Sequence, residues 1–222
     1  MRITSVDIYT LQIPFEHPLV VPIGTLSGAE NVVIKINTDS DLVGWGESSP
    51  FAPITGDTQD SNYAMAQQFA TLIVGRDPLG IEARMKEING HTVREPSIRS
   101  AFDMALYDVA AKTANMPLYQ FLGGEMDEQG NHREIRTDLT IGMQKTVEET
   151  LKHAKNIVAA GFDAIKMKVG RPGLADVDHI AAVRELVGPD IAIKMDSNQG
   201  WDYPTAVANI NAMKPFNLQY SE

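Results

Sequence analysis

Lys166-Met167-Lys168 closes one apolar run of the chain, Lys194-Met195-Asp196-Ser197-Asn198 closes the next, and Leu218-Gln219-Tyr220-Ser221-Glu222 closes a third. If each run is a buried strand, two amines and two carboxylates share one rim of a parallel sheet, the end at which barrel folds keep their chemistry. Side chains alternate along a strand, so Lys166 and Lys168 face one side and Met167 the other. Two ammonium groups in a poorly solvated cavity make each other's protonation costlier, which moves one of them from about 10.4 toward the ~7–8 that suits a general base. Neighbouring strands lie roughly 4.7–4.9 Å apart, so carboxylates ending consecutive strands can approach one hard cation such as Mg²⁺. Asp196 and Glu222 are the ligands this spacing offers. A metal beside a substrate carboxylate stabilises the enediolate that forms when an α-proton leaves, and a lysine removes that proton.

Each piece alone is weak evidence. An isolated Lys-x-Lys also describes two rim lysines with solvated amines, and a carboxylate ending a strand is commonly a helix cap or a surface group. Asn198 and Gln199 read as turn residues in Asn-Gln-Gly-Trp; within a site, Asn198 could hydrogen-bond a substrate carboxylate or support a metal's surroundings. Order along the chain is what joins them: the lysine strand immediately precedes the Asp196 strand, and Glu222 ends the strand after it.

The elements that must position these groups are βα repeats. Strands are expected over Ile135 to Ile141, Ala164 to Val169, Ile191 to Asp196 and Leu218 to Glu222, with helices from about Val147 to Ala160, Ala175 to Val187 and Pro204 to Met213. Such alternation implies parallel strands with right-handed crossovers. A closed (β/α)₈ barrel takes eight strands and about 250 residues, whereas this region has four strands and about 90 residues. An open parallel edge at the last strand also invites aggregation, so the chain reads as the N-terminal part of a longer enzyme.

Upstream, residues 3 to 13, 31 to 37 and 42 to 47 alternate as strands of an antiparallel meander. Pro14 to Glu30, with three prolines and two glycines, and Ser48 to Asp57, with two prolines and Gly56, read as ordered loops. The pattern turns helical from Ser61, most clearly at Ile98, Ala101, Phe102, Ala105, Leu106 and Val109, with Ser97 as the expected N-cap and a stop near Asn115 imposed by Pro117. A polar stretch, Glu125 to Arg133, follows. The expected organisation is an α+β domain over residues 1–128 and an α/β part-barrel over 129–222.

Composition excludes other classes. With 43% hydrophobic and 22% charged residues, the 222-residue chain is globular. A formal net charge of −10 without a basic stripe argues against nucleic acid as a partner. No stretch approaches the ~18 apolar residues of a membrane span, and the start lacks a signal peptide's apolar core. The absence of cysteine removes disulfides, zinc thiolates and thiol nucleophiles. The cytoplasm is the expected compartment.

Taken together these motifs resemble the enolase superfamily, muconate-lactonizing branch, along the whole chain. Gly44-Trp45-Gly46-Glu47-Ser48-Ser49-Pro50 is similar to that family's Gly-x-Gly-Glu segment in the capping domain. Ala101 to Ala111 with Pro117-Leu118 and Leu122-Gly123-Gly124 is similar to its capping helix and exit, and the Lys166, Asp196 and Glu222 motifs follow in the family's order. The resemblance implies that Lys168 is the catalytic base, that Lys166 tunes it, and that Asp196 and Glu222 bind Mg²⁺. Thr137-Asp138-Leu139-Thr140-Ile141-Gly142 resembles the first barrel strand of dipeptide epimerases, in which Thr140 would contact the substrate backbone.

Family members place specificity in two segments, here about Phe15 to Ala29 and Ser48 to Gly56, making Ile23, Gly24, Phe51 and Ile54 candidate substrate contacts beside Thr140 and Asn198. Relatives acting on L-Ala-D/L-Glu often supply an arginine from the first segment. Pro14 to Glu30 has neither Lys nor Arg but does have Phe15, Leu19, Val20, Val21, Ile23 and Leu26, so a hydrophobic or L-Ala-X dipeptide is expected; the same apolar residues could instead pack that segment onto the barrel. The resemblance also implies that the third metal carboxylate, the opposite-face lysine and the Asp-x-Asp that grips the dipeptide ammonium lie beyond Glu222. Residues 1–222 alone are then expected to be inactive, and the full-length protein to be a homo-oligomer. Two other readings use the same residues: o-succinylbenzoate synthesis or cycloisomerisation on the same scaffold, and a non-catalytic half-barrel that pairs its open edge with another chain.

Overall fold

The computed structural model describes residues 1–126, 130 and 134–222, and they fall into two compact units. The first comprises Met1–Pro14 and Gly28–Arg133, and the second Phe15–Ser27 and Glu134–Glu222. The expected boundary at 128/129 and most of the polar stretch before Glu134 lie outside the described residues. Phe15–Ser27, expected within 1–128, clusters with the second unit.

β1 (Ile3–Val21), β2 (Gly24–Thr38) and β3 (Val43–Ser48) form a sheet in the order β1-β2-β3, with β2 and β3 antiparallel. Pro14 to Glu30 is thus not the loop its prolines suggested. Pro14 and Pro18 are accommodated because β1 is an edge strand, where a missing N–H costs no ladder bond, and Pro22 falls in the two-residue turn to β2.

Alternation along β2 buries Val32, Ile34 and Ile36 against Phe69 and Ile73 of α2 (Gln59–Ile73), Ile88 of α3 (Ile81–His91) and the Ile98, Phe102, Leu106 and Val109 stripe of α4 (Pro96–Thr113). The stripe is the one its spacing predicts. Ser97 is not the cap, however: α4 starts at Pro96 after Glu95 in the left-handed region, and Ser97 donates its N–H and hydroxyl to Asp57, each at 3.2 Å. The orphan donor of the first turn is met by a carboxylate from a distant loop. The helix ends at Thr113, with Asn115 at φ 53, as Pro117 requires.

Gly44 and Gly46 on β3 face α4 so closely that a methyl group on Gly46 would stand 1.8 Å from the Ala101 carbonyl oxygen, and one on Gly44 would stand 2.1 Å from that of Ala105. Ser48 to Asp57 is mainly loop but encloses one helical turn, α1 (Ala52–Thr55), and α5 (Leu118–Phe121) closes the unit.

In the second unit β4 (Leu139–Ile141), β5 (Ala164–Lys168), β6 (Ala192–Asp196) and β7 (Tyr220–Ser221) form a parallel sheet in sequence order, joined through α6 (Val147–Ala159), α7 (Ala175–Val187) and α8 (Tyr203–Met213). It is a partial α/β barrel. Strands β4 and β7 are shorter than the expected Ile135 to Ile141 and Leu218 to Glu222. The helices begin where their caps dictate: Thr146 and Glu149 form a reciprocal capping box for α6, and Asp202 accepts from Thr205 N–H for α8. Ile165, Met167, Ile193 and Met195 pack with Ile157, Ile180, Val183 and Met213 of the helices. Lys166, Lys168 and Lys194 therefore project to the opposite face. Among the described residues no helix is long and apolar enough to cross a membrane.

Candidate active site

The register of the parallel ladder aligns the site. Thr140 pairs with Lys166, Lys166 with Lys194 and Lys194 with Tyr220, while Lys168 pairs with Asp196. Lys168 Nζ donates to Asp196 Oδ2 at 2.7 Å, and Lys166 Nζ lies 3.0 Å from the same oxygen and 2.7 Å from Glu222 Oε2. The Asp196 side chain is 7% exposed and that of Lys168 12%, whereas that of Glu222 is 62% exposed. Lys166, Lys168, Asp196 and Glu222 are brought together.

At Lys166 opposite charges decide the electrostatics: the Glu222 hydrogen bond, with the hydrogen bond and charge of Asp196, outweighs burial and drives its pKa upward. The carboxylates alternate with the amines, and opposite charges at hydrogen-bond distance dominate the repulsion. Burial would raise the Asp196 carboxyl; donation by Lys168, Lys166 and the Asn198 N–H overrides it and leaves the group below its ordinary value.

The donor set fits a hard divalent cation. Asp196 and Glu222 offer carboxylate oxygens, and both already converge on one cationic nitrogen, Lys166 Nζ, in a position between them. Among the described residues no group of three His, Cys, Asp or Glu gathers around such a position.

Asn198 follows β6 in the left-handed region at φ 43, with Gln199 also there at φ 66. This sparsely populated pair lets the Asn198 N–H turn back to Asp196 Oδ1 at 2.9 Å and leaves the buried Asn198 Oδ1 without a hydrogen-bond partner. An orphaned acceptor beside Asp196 is suited to a ligand's donor. Thr140 lines an open cavity of about 530 Å³ with Leu19, Val20, Ile141, Gly142 and His153.

The Phe15–Ser27 segment is held to the rim by main-chain contacts. Met143 N–H donates to Val20 O at 2.9 Å, and Pro22 sits against Gly170 and Gly200, two residues after Lys168 and four after Asp196. Ile23 and Gly24 follow Pro22 in the chain, Ile23 completing the turn and Gly24 opening β2. Phe51 and Ile54 belong to the first unit. Phe51 precedes α1, where its N–H and carbonyl exchange bonds with Thr55 Oγ1, and Ile54 is 57% exposed. Both ends of their loop are tied to the fully buried Asn62, which accepts from Ser48 and donates to Asp57 at 2.9 Å.

Two features escaped the sequence reading. Lys194 Nζ donates to Asp138 Oδ2 at 2.7 Å and lies over the Tyr220 ring at 5.5 Å, placing a further, separate ion pair on the lysine face. The signal was present: Lys194 shares its face with Asp196, as Asp138 does with Thr140. The other is a buried polar cluster around Asp176 and His179. His179 Nδ1 is hydrogen-bonded to Thr150 Oγ1 at 2.8 Å. Burial lowers the His179 pKa and the Arg171 charge lowers it further, against Asp176, Asp178 and Glu148. A histidine whose folded pKa is depressed is neutral in the native state, so its contribution is complete above the ordinary imidazole value of ~6.5 and is lost as the pH falls from there through the lowered folded value. Thermal unfolding between pH 8 and 5 is expected to show this loss in the native sequence and a shallower one in His179→Gln, which keeps a partner for Thr150. Equal slopes would show that His179 does not titrate in this window.

A parallel α/β unit whose strand ends gather two lysines and two carboxylates, preceded in sequence by a small α+β unit, defines a barrel-type enzyme scaffold with an acid–base rim. Residues 3–123 match the mandelate racemase / muconate lactonizing enzyme N-terminal domain, and residues 149–222 match the enolase C-terminal domain-like family. The chain belongs to this family of the enolase superfamily. It is 35% identical over 222 residues to the D-Ala-D/L-Ala epimerase of Cytophaga hutchinsonii, covering 100% of this chain and 59% of that protein. It is 32% identical to the hydrophobic dipeptide epimerase of Enterococcus faecalis, covering 100% of this chain and 61% of the relative. The crystal structure of the dipeptide epimerase from Cytophaga hutchinsonii, complexed with Mg and the dipeptide D-Ala-L-Val, superposes with a TM-score of 0.94 at 35% identity, over 100% of this chain and 58% of that one. The chain thus spans about three fifths of the length of these relatives.

Proposed function

We propose that the polypeptide carrying this chain is a Mg²⁺-dependent epimerase that removes the α-proton of a dipeptide, of hydrophobic or L-Ala-X type, through an enediolate. The convergence of Lys166 and Lys168 on Asp196, with Glu222 on the far side of Lys166, carries this reading. Two relatives are named dipeptide-type epimerases, and a structural neighbour holds Mg and a dipeptide.

Asp196 and Glu222 would hold the cation, which when bound stabilises negative charge developing on the substrate carboxylate. Lys168, as the free amine, accepts the α-proton and becomes an ammonium; the electron pair of the C–H bond passes to the substrate's carboxyl carbon and oxygens. Lys166, kept cationic by Glu222 and Asp196, holds a positive charge beside that oxygen cluster. Asn198 Oδ1 accepts a hydrogen bond from the ligand side, and Thr140 meets the substrate main chain. Return of the proton to the other face needs a second acid, which this reading places outside residues 1–222, so the 222-residue chain by itself does not epimerise.

The test is α-hydrogen exchange in D₂O with Mg²⁺, followed by NMR, on the complete polypeptide. Deuterium is expected to enter dipeptides such as Ala-Val or Leu-Tyr faster than L-Ala-L-Glu, since neither Lys nor Arg occurs between Pro14 and Glu30. Turnover of an o-succinylbenzoate precursor without dipeptide exchange would replace the epimerase reading. Epimerisation by residues 1–222 alone would overturn the assignment of the second acid.

A further inference from the structure

Three consecutive loops leave the catalytic rim, one after each of β4, β5 and β6, and a single buried ion pair touches all three. Asp176, in the first turn of α7, is fully buried. Its Oδ2 accepts from the main-chain N–H groups of Gly170 at 2.8 Å and Arg171 at 2.7 Å, both in the loop after β5, and from Trp201 Nε1 at 3.3 Å in the loop after β6. Its Oδ1 accepts from Arg171 Nη1 at 2.5 Å. The other arm of that guanidinium, Nη2, donates to the carbonyl of Gln144 in the loop after β4, and Trp201 Nε1 also reaches Arg171 O at 3.2 Å.

Glycine makes the junction possible. A methyl group on Gly170, at φ +128, would strike Pro22 at 2.5 Å, and one on Gly200 would stand 2.8 Å from the Gly170 Cα. The two loops that follow Lys168 and Asp196 therefore run in direct main-chain contact, and the Asp176 carboxylate accepts hydrogen bonds from both.

We propose that Asp176, with Arg171, is a positioning pair that ties the three βα loops together and thereby steadies the strand ends that carry Lys168 and Asp196, which the ladder already pairs. It touches neither substrate nor metal. A buried carboxylate surrounded by four donors has its desolvation offset by charge-assisted hydrogen bonds, and such a group holds its donors in one arrangement. Lys168 is two residues from Gly170, and Asp196 is five from Trp201, so slack in either loop is transmitted along two to five residues of backbone to the site. The proposal rests on the roles given above to Lys168 and Asp196, but its structural half can be tested without them.

Asp176→Asn keeps the shape and one strong acceptor while removing the charge that holds Arg171. In the 222-residue chain, hydrogen exchange at the Gly170 and Arg171 amides is expected to accelerate at least tenfold, with the strand amides of Ile165 and Ile193 unchanged. In the complete polypeptide, Mn²⁺ affinity read by water-proton relaxation is expected to fall about tenfold, and kcat for α-hydrogen exchange to fall while KM for the dipeptide stays within about twofold. Arg171→Lys, which retains charge but cannot reach Asp176 and Gln144 at once, is expected to give the same pattern at smaller size.

Acceleration spread evenly over Ile165, Ile193 and the loop would make Asp176 a general stability residue and overturn the proposal, as would unchanged exchange at Gly170. If the loop loosens while Mn²⁺ affinity and kcat hold, the tie exists but does not set the site, and the proposal fails in its functional half. If no dipeptide exchange is found even in the native sequence, the epimerase reading fails while the exchange pattern and Mn²⁺ affinity still decide the role of Asp176.

Discussion

Replacing Lys168 with alanine in the complete polypeptide is expected to lower the rate of α-hydrogen exchange in at least one stereochemical direction by ~10²–10⁴, the share of a positioned general base. Mg²⁺ affinity should change little. Asp196 loses the 2.7 Å bond from Lys168 but keeps Lys166 at 3.0 Å on Oδ2 and the Asn198 N–H at 2.9 Å on Oδ1, so its carboxylate remains oriented. Asp196→Ala removes a hard oxygen donor outright and is expected to weaken Mg²⁺ binding strongly, with exchange falling in both directions. Calorimetric Mg²⁺ titration beside NMR-detected exchange separates the two. Equal loss of metal in both variants would show that Lys168 organises the cation site rather than taking the proton.

Much of this site was legible because its logic is local. Period-two alternation puts Lys166 and Lys168 on one face whatever the rest of the chain does, and the βα repeat makes consecutive strands neighbours, which brings Asp196 and Glu222 alongside. The α4 stripe follows from its period in the same way, and α7 ends before Gly188, at φ 74.

What could not be read depends on distances between segments remote in sequence. The rise of the Lys166 pKa needs Glu222 at 2.7 Å rather than merely nearby, and nothing in the spacing of residues 166 and 222 states that length. The strands through Pro14 to Glu30 were hidden because proline marks a loop in isolation and is permitted in an edge strand once the sheet exists. The spacing of Arg171 and Asp176 does not by itself mark them as partners. Only the folded loops, with Gln144 and Trp201 arriving from either side, turn them into a buried pair.

Gly46→Ala is expected to be the most destabilising single-methyl change in the first unit. The added Cβ would stand 1.8 Å from the Ala101 carbonyl oxygen and 2.8 Å from its carbon, and a backbone atom inside α4 cannot swing aside as a side chain can. Relief requires β3 and α4 to separate by more than an ångström, which opens the packing of Ile34, Ile36, Phe102 and Leu106, all fully buried. Overpacking a core typically costs ~1–3 kcal/mol when side chains can yield; with backbone as the obstacle the loss is expected to be ~3 kcal/mol or more. Gly56 supplies the contrast. It sits at φ +78 with nothing within 4 Å of a Cβ, so Gly56→Ala carries only the left-handed backbone cost of ~1–2 kcal/mol. Urea unfolding followed by hydrogen exchange at the Ile34 and Ile36 amides reports on this unit alone. A Gly46→Ala midpoint at or above that of Gly56→Ala would show that the sheet and helix can part cheaply, and would remove the steric reason for glycine at this position.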